Sequence, residues 1–176
     1  ADLIMLALGT HLLNFYILRE DMYDPANDYF CINIGNVHNQ LVEIMRWTSD
    51  KYELISNSTI DDFIFMCFMV GNDFLPHIPS IEIIEDGIEL MIQVYKDVCK
   101  SYGHLTQNID GKVCLIQKSM EAFLGTIGHH EKENFQTKLG KKSAFFPDPI
   151  LEKCAIQTPD GNWTVDIEKY KSDYIN

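Results

Sequence analysis

Residues 63–70, Phe-Ile-Phe-Met-Cys-Phe-Met-Val, set the first condition that any fold of this chain has to meet. A helix that is apolar on all sides must be buried on every side. The run is far short of the roughly 20 residues a membrane-spanning helix needs, so the burial has to come from protein. With 176 residues, 46% of them hydrophobic, the chain can supply one domain with a core, or a large piece of a bigger domain. The residues just after the run are unexpected. In "FMVGNDFLPHIP", Gly71 stops the helix as a C-terminal cap and Asn72-Asp73 comes directly after it. Helix C-termini are negative and rich in free carbonyls, so a carboxylate there is disfavoured unless a cation is close. A divalent metal, a distant Arg or solvent exposure would each resolve the conflict, and so would a capping turn over "NDFLP" with no function at all.

Charge narrows the choice of partner. The net charge is −12, and residues 52–95 hold eight acidic side chains and no Lys or Arg. Such a surface repels a phosphate backbone unless metal ions intervene. Lys138, Lys141 and Lys142 form the one basic cluster, a short solvated loop rather than a nucleic-acid groove. Five cysteines, Cys31, Cys67, Cys99, Cys114 and Cys154, are odd in number, widely spaced and without a C-x-x-C pair. They suggest neither a disulfide framework nor a zinc site, and they point to a reducing, intracellular compartment. The first eight residues have no initiator Met and no basic flank of a signal peptide, so the chain reads as an excerpt of a longer protein.

Along the chain, residues 3–8 are apolar but too short for a period to decide between helix and strand. Residues 14–19 and 29–34 have the aromatic and branched content of strands. Val37, Leu41, Ile44 and Met45 predict an amphipathic helix over 36–47, with His38 on its surface. A second helix is expected from Thr59 to Val70, with Asp62 in a capping-box-like position. A third is expected over about 84–102, with Ile84, Ile88, Met91, Ile92, Tyr95 and Val98 inside. "LTQNIDGKVC" predicts a hairpin turning at Asp110-Gly111. A helix over about 115–127 comes next, and the last 30 residues, with Pro147, Pro149 and Pro159, read as irregular.

Few other residues suggest chemistry. Asp2 heads an apolar run, where a lone carboxylate is either a site ligand or an N-cap. His129 and His130 are adjacent and cannot share one metal face on a helix. His11 and His77 come after turn signals, and Trp47 and Trp163 fit core packing better than base stacking. There is no P-loop, G-x-G-x-x-G, G-x-S-x-G or H-E-x-x-H.

Two stretches together, "ADLIMLALGTH…FYILRE" and "DDFIFMCFMVGNDFLPHIPSIEI…GIELMIQVYK", resemble the catalytic region of the eukaryotic 5′-to-3′ exoribonucleases. The resemblance is strong over residues 1–19 and 61–96, and fades beyond His129. In that family the first stretch reads D-A-D-L-I-M-L and the second V-G-N-D-F-L-P-H. Asp2 matches the second Asp of the first motif, and Asp73 the Asp of the second. Ala1 matches the residue between the paired aspartates. The resemblance implies that Asp2 and Asp73 are catalytic metal ligands for Mg²⁺ or Mn²⁺ in a two-metal site completed by residues upstream of Ala1. It implies hydrolysis of single-stranded RNA bearing a 5′ monophosphate to nucleoside monophosphates.

The expected fold is α/β, a PIN- or flap-nuclease-like, mostly parallel sheet fragment leading into a mainly helical half. Residues 1–130 would be the C-terminal part of the nuclease domain, and 131–176 an irregular extension or the start of the next region. With most ligands outside, the chain alone is expected to be inactive. A flap-endonuclease-like nuclease ranks lower, because "PHIPSIEI" lacks the glycines of that family's DNA-gripping motif. A non-catalytic acidic interaction module is the other alternative.

Overall fold

The structure, a computed structural model, describes residues 2–21, 29–71, 87–141 and 148–175. Its elements in chain order are α1 (Asp2–Gly9), β1 (Tyr16–Glu20), β2 (Tyr29–Asn33), α2 (Ile34–Ile44), α3 (Ser56–Met69), α4 (Gly87–Tyr102), β3 (Thr106–Ile109), β4 (Lys112–Leu115), α5 (Gln117–Lys141), α6 (Pro149–Cys154), β5 (Ala155–Gln157), β6 (Trp163–Val165) and α7 (Ile167–Ile175).

No parallel pairing occurs among the described residues. The strands form three two-stranded antiparallel hairpins, β1 with β2, β3 with β4 and β5 with β6. The expected mostly parallel sheet is not seen among the described residues. A parallel pair needs a crossover of a dozen residues or more, and the links within these pairs are too short for one. The run after Asp2, undecided by period, is helical.

The α3 helix is the centre of the fold, with an apolar core on each of two sides. On one side Trp47, Met66, Met69 and Val70 join Met91, Tyr95 and Cys99 of α4 and Met120, Phe123 and Ile127 of α5. On the other, Ile60 meets Ala7 and Leu8 of α1 and Ile34 and Val42 of α2. Burial is therefore nearly all-round, as the apolar run demanded, except that Phe68 remains 45% exposed. His11 touches Asp61, and a Cβ at Gly9 would lie 3.5 Å from Ile64 Cδ1. Residue number falls along one segment as it rises along the other, so the end of α1 meets the middle of α3.

Local signals explain the ends of the elements. Asn33 caps α2 by accepting from the Asn36 amide at 3.1 Å. Gly35 packs so closely on the chain before β1 that a Cβ would lie 2.6 Å from the Leu13 carbonyl oxygen. The α4 helix closes on Gly103, whose φ of +80° suits glycine and whose amide donates to the Cys99 carbonyl at 2.9 Å. At the β3–β4 turn, Asp110 and Gly111 have φ of 51° and 81°, the pair of positive values that a two-residue hairpin turn of this twist requires.

Residues 148–175 are not irregular. Asp148 accepts from the Ile150 and Leu151 amides and starts α6 with Pro149 in the first turn. Leu151, Cys154, Val165 and Tyr170 then form a third core around Phe135. The rings of Phe135 and Tyr170 are 4.7 Å apart. The α5 helix thus carries one core at its start and another at its end, a continuity that the break in its apolar pattern after Ile127 concealed.

Candidate functional site

The two adjacent aspartates near the start of α3 organise the polar interior. Asp62 is fully buried. Its Oδ1 accepts from the Thr106 amide and the Thr106 hydroxyl, both at 2.7 Å. Its Oδ2 accepts from the Tyr95 hydroxyl at 2.8 Å and from His104 Nδ1 at 2.7 Å. The Ile55 amide donates to His104 Nε2 at 2.9 Å, so that nitrogen carries a lone pair and the ring proton sits on Nδ1, facing Asp62. Trp47 Nε1 donates to the Tyr95 oxygen at 3.3 Å, and its ring meets His104 edge-on at 5.2 Å.

Four donors around one carboxylate satisfy it without a cation. Burial, reinforced by the charge of Asp62, pushes the Tyr95 phenol well above its ordinary range and keeps it a donor. An Asp–His–Tyr set suggests acid–base chemistry at first sight. Here both ring nitrogens are occupied by partners and the cluster is buried, so among the described residues it leaves no open position for a substrate.

Asp61 faces the other way. Its Oδ1 lies 3.0 Å from His11 Nε2, with 8% of the Asp61 side chain exposed. Burial raises its carboxyl above the ordinary value, and the attraction of His11 offsets part of that rise. His11 adopts φ of 55°, unusual for a residue with a Cβ, which turns the chain after α1. His38 is buried too, at 6% exposure, in line with Ile34 and Val42 on the inner face of α2. This corrects its expected place on the helix surface.

Of the residues chosen from sequence, Asp2 begins α1, exposed, with no described side chain paired to it. A helix N-terminus favours a carboxylate there whatever its function. Asp73 and His77 lie outside the described residues. Asp62 is not a capping residue, since α3 begins at Ser56 with Ile55 as its cap and no side-chain cap bond. On α5, His129 is exposed and His130 partly buried. Among the described residues, no group of three or more His, Cys, Asp or Glu could hold a metal ion.

Sequence reasoning missed Asp61, His11 and the set around Asp62. A signal existed, because two adjacent carboxylates leading straight into eight apolar residues cannot both face water on a buried helix.

The family model described as the Xrn1 helical domain matches residues 54–162, from just before α3 to the β5–β6 turn. The 5′-3′ exoribonuclease 2 of Arabidopsis thaliana is 33% identical over an alignment covering 78% of this chain and 17% of the relative. This chain belongs to the 5′-to-3′ exoribonuclease family. The enzyme of the same name from Eremothecium gossypii is 30% identical, with 96% of this chain and 21% of the relative covered. The Drosophila melanogaster 5′-3′ exoribonuclease 2 homolog is 29% identical, with 82% and 20% covered. This exoribonuclease-family chain therefore spans about a fifth of the length of these curated relatives. Asp61, Asp62, Tyr95, His104 and Thr106 all fall inside the family match, and Asp2 and His11 precede it. Among the described residues, no helix is long and apolar enough to cross a membrane.

Proposed function

We propose that this chain is part of a metal-dependent 5′-to-3′ exoribonuclease that hydrolyses 5′-monophosphorylated RNA to nucleoside monophosphates. The observation that carries the proposal is the similarity to proteins named 5′-3′ exoribonuclease 2 over 78% to 96% of the chain. Asp2 and Asp73 are the metal ligands in this reading. An exposed carboxylate such as Asp2, with no described side chain paired to it, suits a hard cation, Mg²⁺ or Mn²⁺, in the chemistry of its oxygens. It supplies one ligand of the several such an ion needs, and the others come from Asp73 and from residues of the whole protein.

Bound there, two ions would supply an activated water and charge stabilisation on the scissile phosphate. The chain's own contribution is placement. Asp2 begins α1, and the end of that helix meets the middle of α3, the helix that precedes Asp73 in the sequence. The residues between Tyr52 and Tyr95 carry no positive charge, which leaves the RNA backbone to be gripped elsewhere in the protein. A parallel PIN-like sheet belongs to the same reading, as a part of the whole protein beyond the antiparallel hairpins described here. Five free cysteines fit a reducing compartment, cytoplasm or nucleus.

The test uses the whole protein with 5′-monophosphorylated RNA in Mg²⁺, next to its Asp73→Ala variant and the 176-residue chain alone. Release of nucleoside monophosphates by the whole protein, and its loss in the variant and in the isolated chain, is expected. Full activity of Asp73→Ala would return Asp73 to the capping turn.

A further inference from the structure

We propose that α5 is a hinged helix, which bends at residues 125–128 and swings the unit built on its far end, α6, β5, β6 and α7, against the core of α3 and α4. The inference is independent of the proposed activity.

Each half of α5 belongs to a different unit. Met120, Phe123 and Ile127 are buried with the apolar side chains of α4, and the Ser119 hydroxyl donates to the Tyr102 carbonyl at the end of α4 at 3.0 Å. Further on, Phe135 is buried among Leu151, Val165 and Tyr170, and Lys171 of α7 reaches Glu131 at 3.2 Å. Among the described residues, the hold of the first unit therefore ends at Ile127 and that of the second begins at Glu131. Between them Gly128 and His129 are exposed, and His130 faces Glu133 of the same helix at 3.9 Å. Ile127 and Phe135 are eight residues apart, so their side chains point about 80° apart around the helix. The residue midway, Glu131, is charged, so no apolar stripe joins the two cores along α5.

The same stretch is the softest part of the helix by its residues. Glycine leaves the backbone more freedom than any other residue and is the poorest helix former after proline. Gly35 and Gly103 have close neighbours that exclude a side chain, and Gly111 and Gly161 have positive φ. Gly125 and Gly128 have neither reason. Both are exposed, and a Cβ at either would meet nothing within 4 Å outside its own stretch of helix. Thr126, between them, donates its hydroxyl to the Ala122 carbonyl at 2.9 Å. That bond shares the acceptor of the helix's own ladder, an arrangement that bends helices. From Gly128 the helix runs on for about 20 Å to Lys141, so a kink of about 20° would carry its end about 7 Å.

The experiment uses the whole protein with nitroxide side chains placed at Gln93 on α4 and Glu168 on α7, both exposed, and reads the distance between them by pulsed electron paramagnetic resonance. It is repeated with Gly125→Ala and Gly128→Ala combined, and amide hydrogen exchange along α5 is followed in both unlabelled proteins. The two alanines enter open space, so the variant keeps the fold. The expected result is a broad distance distribution in the parent that narrows in the variant. Exchange of the amides of residues 126–132 should slow about tenfold or more, the combined effect of two glycine-to-alanine changes in a helix. A narrow distribution in the parent, or a broad one that the alanines leave unchanged, overturns the hinge. Slower exchange with an unchanged distribution also overturns it, since the glycines would then soften the helix without moving the unit.

Discussion

Asp61 and Asp62 are neighbours with the same side chain and opposite electrostatic situations. Among the described residues, Asp62 is met by four donors, whereas the buried Asp61 meets a single histidine. Burial holds the Asp61 carboxyl above its ordinary 3.8, so the folded chain binds that proton more tightly than the unfolded chain. The stability contribution of such a group is complete below the unfolded value and is lost as pH rises through the folded one. Replacing Asp61 with Asn removes this dependence. The urea midpoint of the natural chain, measured relative to Asp61→Asn, is therefore expected to fall as pH rises from about 3 through the acid range. A gap that widened with pH would show that the attraction of His11 outweighs burial. Neither aspartate was legible in this role from sequence, because their partners lie at least 33 residues away in the chain.

At the scale of elements, the hairpin at Asp110-Gly111 and the helices α2 to α5 were legible, since each rests on a local period or a turn residue whose backbone preference is intrinsic. The pairing of β1 with β2 was not, because strand sequences alone do not state direction. The buried carboxylate again joins the elements, since α3, α4 and β3 meet on Asp62. Asp62→Ala would leave the Thr106 amide, the Tyr95 hydroxyl and His104 Nδ1–H without their acceptor inside the protein. Unpaired buried donors cost about 1–3 kcal/mol each, and cavity formation adds to this, so a loss of at least about 3 kcal/mol is expected in urea denaturation. A loss below about 1 kcal/mol would mean that water replaces the carboxylate and that the corner is loosely packed.

At the scale of the molecule there are two joined cores around α3 and a third at the far end of α5. The third, built on Phe135, Leu151, Cys154, Val165 and Tyr170, shares only that helix with the others among the described residues. Cooperative units of this kind open separately when their own packing is cut. Phe135→Ala is expected to cost about 3–5 kcal/mol locally. Hydrogen exchange should then show faster exchange in α6, β5–β6 and α7, with α3 and α4 unchanged. Uniform loss of protection across the chain would show a single cooperative unit instead.

The order of residues was enough to identify the family, through "DLIML" and "VGNDFLPH", and with it the expectation about Asp2 and Asp73. It was also enough to require that residues 63–70 lie inside protein, since apolar residues all round a helix leave no face for water. The work of the polar residues beside that helix was settled only by the assembled fold. Whether Asp62 was a cap, a catalyst or a structural anchor depended on Tyr95, His104 and Thr106 arriving around it. Hydrogen bonds between residues far apart in the chain have no period and leave no local trace, so no stretch of sequence could assign them.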